Sequence, residues 1–153
     1  MTSRRGERSE AVLPLLSLWL VATIACGAAE SSTMGTTGEP LKPCPDRPNC
    51  VSSESGETSA RVDPLHFAGS PEAAWKRLKE AVRALGGTVE EERDGYLRAT
   101  FTSRVFRFVD DLECRLVAAA GVIHVRSAAR VGYWDLGVNR RRVEALREKF
   151  EHP

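Results

Sequence analysis

A strand end, a loop and the start of a helix follow one another in Ser127-Ala-Ala-Arg130-Val-Gly-Tyr133-Trp-Asp135-Leu-Gly137-Val-Asn139-Arg140-Arg141-Arg142. Asn139 is a residue type that commonly caps a helix, and an apolar stripe of helical spacing follows it. The first turn of a helix carries about half a positive charge, so consecutive arginines are unfavourable there. We therefore predict that negative groups compensate this helix start. The stripe consists of Val143, Leu146 and Phe150.

Another helix and about four strands are predicted before this stretch. The helix begins with Ser70 as N-cap and Pro71 in its first turn, and it ends at Gly86-Gly87. Strands are expected over 88–92, 96–102, 112–118 and 122–126, with an edge strand around 62–67, while 104–110 fit either a strand or an ordered loop. This order predicts an α+β fold: a two-layer sandwich in which an antiparallel sheet of about four to five strands carries two helices on one face.

The hairpin formed by strands 112–118 and 122–126 determines which side chains share a face. A turn about Ala120-Gly121 sets position 114 opposite position 127, and it puts Cys114 and His124 on opposite faces of the sheet. A nucleophilic pair of these two residues is therefore not expected. The same register brings the acids at 110–113 to the end of the sheet where the arginines at 126 and 130 leave it.

Polar side chains are expected to meet at that end, and three interpretations are open. They form a structural network of ion pairs and hydrogen bonds that holds the loop, or an anion-binding site for a phosphate or carboxylate, or a site in which Asp110 or Asp111 acts as a general base. The candidate anion site comprises Arg126, Ser127, Arg130, Asp135, Asn139 and Arg140. The polar network adds Asp110, Asp111, Glu113 and Tyr133.

The first 26 residues are predicted to be a signal peptide with a lipobox-like cleavage site. Three arginines precede an uncharged, mostly apolar run over 11–25, which is shorter than the roughly 20 residues of a membrane span. Thr23-Ile24-Ala25-Cys26 is similar to a lipoprotein signal, so Cys26 is the expected lipidation site. An uncleaved N-terminal anchor is the alternative.

The rest of the chain is predicted to consist of a tether and one domain. Residues 27–43 are small and polar and indicate a flexible tether, and 44–151 suffice for a single globular domain. Loss of the leader would remove three basic and two acidic residues and leave 19 of each. A net charge of zero argues against nucleic-acid binding. The basic excess falls on residues 96–153, which hold 11 basic and 7 acidic side chains.

The cysteines point to an oxidising compartment. Cys44 and Cys50 flank a Pro-rich turn, and in an exported protein they are expected to form a local disulfide worth about 2 kcal/mol. A zinc site is not expected, because no second ligand pair lies nearby. Cys114 is then a free thiol, and the strand pattern predicts that it is buried and inert.

Three segments of this chain, taken in order, resemble the domain-of-unknown-function 1499 family of bacteria and plastids. They are Cys44-Pro-Asp-Arg-Pro-Asn-Cys50-Val-Ser-Ser, Phe106-Arg-Phe-Val-Asp110-Asp111-Leu-Glu113 and the stretch from 127 to 147. The resemblance spans 44 to about 148 and implies that the polar residues above are the family's characteristic positions, without giving them a role. The family often has Ser where this chain has Trp134.

Two functions remain open at this point. The first is a lipoprotein on the extracytoplasmic (periplasmic) side of the cell envelope, anchored to the membrane by its N-terminal lipid and binding a partner or a small anionic or lipid-like ligand without catalysis. The alternative is a hydrolase-like envelope enzyme that uses Asp110 or Asp111 with an arginine anion site. No catalytic motif, cofactor motif or metal-ligand spacing is present in the sequence, so no cofactor is expected.

Overall fold

Six antiparallel strands and two helices make up residues 38–153, the part of the chain that this computed structural model describes. The predicted signal peptide, the lipidation site Cys26 and the tether up to residue 37 lie outside the described residues. The strands are β1 (Cys50–Ser52), β2 (Leu65–His66), β3 (Thr88–Arg93), β4 (Tyr96–Thr102), β5 (Val109–Val117) and β6 (Val122–Ala129), and the helices are α1 (Pro71–Ala84) and α2 (Val138–Glu151).

The strands form one sheet in the order β1-β6-β5-β4-β3, and β2 also pairs with β6. The predicted α+β sandwich is confirmed, with a sheet slightly larger than the four to five strands expected. The edge strand predicted around 62–67 is β2, whereas β1, which directly follows the disulfide loop, was not predicted. A strand of three residues carries too short an alternation to be recognised in the sequence.

Helix α1 forms as its sequence signals predict. The Ser70 hydroxyl accepts a hydrogen bond from the Ala73 N–H at 3.1 Å, and Gly86 adopts a positive φ of 82° after the last turn. Gly87 is required by packing, because a Cβ atom there would lie 2.6 Å from the Phe101 ring. The apolar stripe buries Trp75, Leu78 and Val82 against the sheet.

The core lies between the sheet and the two helices. Each fully buried Leu or Phe side chain contributes about 1.5–3 kcal/mol through the hydrophobic effect. Helix α2 contributes its predicted stripe, and the sheet contributes the inward side chains of β4, β5 and β6. The sheet residues of this core include Leu97, Ala99, Leu112, Cys114, Leu116, Ile123 and Val125.

The β5–β6 hairpin has the predicted facing but a different register. Cys114 pairs with Val125 rather than with Ser127, and Ser127 pairs with Leu112. The connection is a 3₁₀ turn over Ala118–Ala120 followed by Gly121 in the left-handed region, which displaces the pairing by two residues. A register shift of two residues preserves the alternation of side chains between the two faces. Cys114 and His124 therefore still lie on opposite faces of the sheet.

Two boundaries differ from the sequence predictions. Residues 103–108 form a loop and β5 begins at Val109, which decides between the two interpretations of 104–110. Leu41, assigned to the flexible tether, is buried, and its N–H donates to Glu54 Oε2 at 2.6 Å. The ordered domain therefore begins before Cys44. In the described part of the chain, no helix is long and apolar enough to cross a bilayer.

Candidate functional site

The predicted polar constellation is divided between the two faces of the sheet. Strand side chains alternate, so Asp110 lies on the helix-covered face and Asp111 on the opposite face. The expectation of one connected site is therefore wrong, because the sheet separates the residues into two groups. The sequence predicts that one site joins Asp110 or Asp111 to four other residues, namely Arg130, Asp135, Asn139 and Arg140.

A buried hydrogen-bonded group, which we call the interior network, lies under the start of α2. Its centre is Asn139, whose Oδ1 accepts hydrogen bonds from Ser127 Oγ at 2.6 Å and from Arg142 Nη1 at 2.5 Å. Its Nδ2 donates to the Asn49 carbonyl at 3.1 Å and to Asp135 Oδ2 at 2.8 Å. Every donor and acceptor of this fully buried amide thus has a partner, which removes the cost of burying it.

The predicted role of Asn139 as N-cap is wrong. Helix α2 begins at Val138, and Gly137, with a φ of 76°, precedes it. Asp135 takes over the capping: its two carboxylate oxygens accept the N–H groups of Gly137 at 2.9 Å and Asn139 at 2.8 Å. From inside the first turn, the Asn139 side chain reaches Ser127 on β6, and this contact forms the centre of the interior network.

Arg142 connects the interior network to the sheet. Its Nη2 donates to Asp110 Oδ2 at 2.6 Å, and its guanidinium lies 4.7 Å from the centre of the Phe101 ring. Only 11% of the Arg142 side chain and 13% of the Asp110 side chain are exposed. The arginine predicted for this position was Arg140, so the sequence found the right cluster of arginines and the wrong member.

The other two arginines at the helix start bind backbone carbonyl groups. The Arg140 guanidinium donates to the carbonyls of Ser59 at 2.7 Å and Arg61 at 3.0 Å. These two hydrogen bonds connect α2 to the segment before β2. Arg141 donates to the carbonyl of Leu136 at 3.0 Å. Arg140 pairs with neither aspartate, because these carbonyls hold it on the other side of the helix start.

Asp135 supplies the negative charge that this helix start was predicted to need. Burial acts to raise the pKa of Asp135, but the hydrogen bonds from Asn139 and Gly137 outweigh it and leave that pKa below its ordinary value. The carboxylate is therefore ionised at neutral pH and faces the positive end of the helix dipole.

The second group, which we call the charged face, lies on the helix-free side of the sheet. Arg130 donates two hydrogen bonds of 2.8 Å to the two oxygens of Asp111, and Arg126 donates to Glu113 at 2.6 Å. Tyr96 also donates to Glu113, at 2.8 Å. The hydrogen bonds from Arg130 hold the pKa of Asp111 below its ordinary value, while burial and the bond to Glu113 raise that of Tyr96.

A shallow cleft of about 310 Å³ opens on the charged face. Its basic walls come from Lys42, Arg98, Arg126 and Arg130, and its acidic walls from Asp111 and Glu113. Arg126 and Arg130, two members of the predicted anion site, are thus directed to this face, whereas Ser127 and Asn139 belong to the interior network. The arginines here are already paired with carboxylates, so an anion would have to compete with them.

The cysteines and the histidine of the sheet are arranged as the sequence predicted. Cys44 and Cys50 are disulfide-bonded, with Cα atoms 5.6 Å apart. Cys114 is free and buried, and burial raises the pKa of its thiol, so it is neither a ready nucleophile nor a ready ligand. His124 lies on the charged face, where its Nδ1 is 3.0 Å from Ser53 Oγ. Among residues 38–153, no cluster of three metal-ligating side chains exists.

One surface feature was missed in the sequence. Seven large apolar side chains in the loops 103–108 and 130–137 are between 53 and 80% exposed. We call these two loops the exposed apolar end. The signal was available in Val105-Phe106 and Tyr133-Trp134, but Tyr133 was assigned to the polar network, whereas its side chain is 70% exposed. The seven are Val105, Phe106, Phe108, Val131, Tyr133, Trp134 and Leu136.

These features describe an α+β domain that carries paired charges on both faces of its sheet and exposed apolar side chains at one end. Residues 40–150 match the family described as "Protein of unknown function (DUF1499)", and the chain belongs to that family. No curated protein matches the chain by sequence. The match covers every residue of the interior network and the charged face.

Proposed function

We propose that this protein is a lipoprotein of the cell envelope, anchored outside the cytoplasm by a lipid on Cys26, whose domain binds a partner or ligand without catalysis. The leader supports the anchor through its basic start, its short apolar run and the Thr23-Ile24-Ala25-Cys26 segment. The Cys44–Cys50 disulfide supports an oxidising, extracytoplasmic compartment, because such bonds are rare in the cytosol.

The observation that carries the non-enzymatic proposal is the pairing of both candidate bases. Asp110 accepts a hydrogen bond of 2.6 Å from Arg142, and Asp111 is held by both donors of Arg130. A general base works best with a pKa near the working pH, but the pKa of Asp111 is lowered by its arginine. The hydrolase-like alternative therefore has no contact in its favour, and we do not propose it.

Binding is instead assigned to the exposed apolar end. Large contiguous apolar surface on a soluble domain is characteristic of an interaction site, because exposing it to water is unfavourable. The loops 103–108 and 130–137 are ordered by their own hydrogen bonds, such as Phe108 N–H to Ser103 Oγ at 2.9 Å. The exposure of their apolar side chains is therefore a property of folded loops. Binding of a small anionic ligand in the cleft on the charged face has less support, because the arginines of that cleft are already paired with carboxylates.

The anchor is tested by expressing the full chain and its Cys26→Ala variant in a bacterial host with a clickable fatty acid. We expect the wild type to be labelled and to fractionate with membranes, and Cys26→Ala to be unlabelled and released from the membrane fraction. Cys114→Ala is the matched control, since that thiol is buried in the core and its loss leaves the leader intact. An unlabelled wild-type chain that stays in the membrane fraction would contradict lipidation and favour an uncleaved anchor helix.

A further inference from the structure

The exposed apolar end is shaped as two adjacent loop tips at one end of the sheet. The N–H of Arg130 donates to the carbonyl of Val109 at 3.1 Å, which joins the start of one loop to the end of the other. Within the first loop, the rings of Phe106 and Phe108 stack with their centres 5.6 Å apart. The two loops therefore lie next to each other at one end of the sheet, where Phe106 and Phe108 form an exposed aromatic pair.

The charge of this end is positive. The loops 103–108 and 130–137 contain three arginines and one acid. That acid, Asp135, is held by the first turn of α2, and Arg130 is paired with Asp111. Arg104, Arg107 and Arg141 are exposed and have no carboxylate within salt-bridge distance among residues 38–153.

The second loop exposes two aromatic side chains with polar tips. Tyr133 and Trp134 expose 70% and 65% of their surfaces in the second loop. Such side chains collect at the boundary between lipid headgroups and hydrocarbon, where the ring is buried and the O–H or N–H remains hydrated. Phe and Leu next to basic residues are typical of segments that lie in that boundary on anionic lipid.

From these observations we propose that the exposed apolar end docks on an anionic lipid bilayer, with Phe106, Phe108 and Trp134 entering the interface and Arg104 and Arg107 contacting lipid phosphates. The proposal rests on the proposed function, in which the domain is already tethered to a membrane. The eleven residues over 27–37 can span at most about 40 Å, enough for this end to turn towards the bilayer.

The size of the surface favours a bilayer over a folded protein partner. A stable protein interface engages about 20–30 residues on each side, whereas the two loops together have fourteen, six in 103–108 and eight in 130–137. Two short loops also give little of the broad, close-packed contact on which protein complexes depend. A fluid headgroup layer requires no such fit, because lipids rearrange around an inserted side chain.

The test uses the fluorescence of Trp134 in the full chain reconstituted into vesicles of phosphatidylcholine with brominated phosphatidylglycerol. Bromine quenches only nearby indoles, and a Trp134→Phe variant measures the emission of the other tryptophans, so the difference isolates Trp134. We expect about twofold quenching with brominated phosphatidylglycerol and little with brominated phosphatidylcholine alone. Phe106→Ser/Phe108→Ser should abolish the quenching, and Arg104→Glu/Arg107→Glu should reduce it several-fold.

The matched control reverses two exposed charges near the C-terminal end of α2, in Lys76→Glu/Lys149→Glu, and should leave the quenching unchanged; Lys76 precedes Arg77, whose guanidinium stacks on the Phe150 ring. Helix α2 is 14 residues long, so Lys149 lies roughly 15 Å along it from the exposed apolar end. Thermal melts check that each variant is folded, which is expected because the altered side chains are exposed. Equal quenching by both lipids would overturn the role of the arginines.

A wild-type chain whose Trp134 is unquenched in both vesicles would overturn the docking proposal. If Cys26 is nevertheless acylated, the proposed function survives and only the partner is wrong. A photo-crosslinking amino acid at position 134 then identifies the true partner in the host, and crosslinks confined to one protein would agree with the overturned docking. Loss of acylation with retained quenching would instead contradict the proposed anchor alone.

Discussion

Asp110 and Asp111 are neighbours in the chain, yet their arginine partners have very different surroundings. The pair of Arg142 with Asp110 is almost enclosed, with 11% and 13% of the side chains exposed. The pair of Arg130 with Asp111 lies on the charged face, where 46% and 22% remain exposed. Both pairs have short, well-directed hydrogen bonds, so geometry alone does not distinguish them.

The difference between these pairs is the cost of breaking them. An exposed ion pair contributes about 0–1 kcal/mol, because water solvates either partner when the other is lost. A buried pair also adds little net stability, but removing one partner leaves an unpaired charge in a poorly solvated site, at a cost of about 3–5 kcal/mol. The interior network should therefore determine the stability of the α2 start, and the charged face should be tolerant of change.

The sharpest test of this contrast is Arg142→Ala. It leaves the Asp110 carboxylate without its arginine and removes one of the two donors to the Asn139 amide oxygen, so we expect the free energy of unfolding to fall by about 3–5 kcal/mol. Urea denaturation followed by circular dichroism measures it. Arg141→Ala is the matched control, because the neighbouring arginine is exposed and should change stability by no more than about 0.5 kcal/mol. Equal losses in the two variants would break the comparison.

The disulfide loop should have the next largest effect. The backbone carbonyl of Asn49, just before Cys50, accepts a hydrogen bond from the Asn139 amide. The disulfide loop therefore positions one partner of the interior network. We expect Cys44→Ser/Cys50→Ser to lower the free energy of unfolding by about 2 kcal/mol, mainly by freeing the unfolded chain. Reduction of the wild type should reproduce the loss and have no effect on the double variant. A variant as stable as the wild type would mean that the loop is ordered without its bond.

Asp135→Asn should weaken the start of α2 in a pH-dependent way. The pKa of Asp135 is lowered in the folded state, so its contribution is complete above about pH 4, the ordinary aspartate value, and is lost as the pH falls through the lower folded value. We expect the variant to be about 1 kcal/mol less stable at pH 7 and the difference to shrink by pH 3. Denaturation curves at the two pH values measure it; a gap that widens towards acid would contradict the assignment of the charge.

Arg130→Ala should have the smallest effect on the free energy of unfolding, because its pair with Asp111 is exposed. Thermal melts with and without phosphate also test the predicted anion site. If the cleft on the charged face binds phosphate, the wild type should gain stability in phosphate and the variant should not. A loss as large as that of Arg142→Ala would remove the distinction between the two faces.

Much of the fold could be predicted from short-range patterns. The start and end of α1 and the apolar stripe of α2 depend on a few adjacent residues, and each is confirmed. The opposite facing of Cys114 and His124 follows from alternation alone, which explains why it survived a register error of two residues. The local disulfide of Cys44 with Cys50 was predictable for the same reason.

The candidate site was less predictable, because its contacts join distant parts of the chain. The sequence showed that acids and arginines would collect at one end of the sheet. It did not show that the sheet would separate Asp110 from Asp111, because the strand pattern in the sequence begins at Leu112, whereas β5 begins at Val109. The exposed apolar end was missed because apolar residues in loops are recognised as exposed only when the core is known to be filled without them.

By itself, the sequence determined the α+β order, the two helices, the local disulfide and the need for negative charge at the start of α2, since each depends on neighbouring residues. Only the tertiary structure decided that Arg142 rather than Arg140 meets Asp110, and that Asn139 is a buried hub rather than a cap. The amide of Asn139 meets the Asn49 carbonyl across 90 residues of chain. Such a contact is selected by the free energy of burying the whole helix face, which no local pattern records.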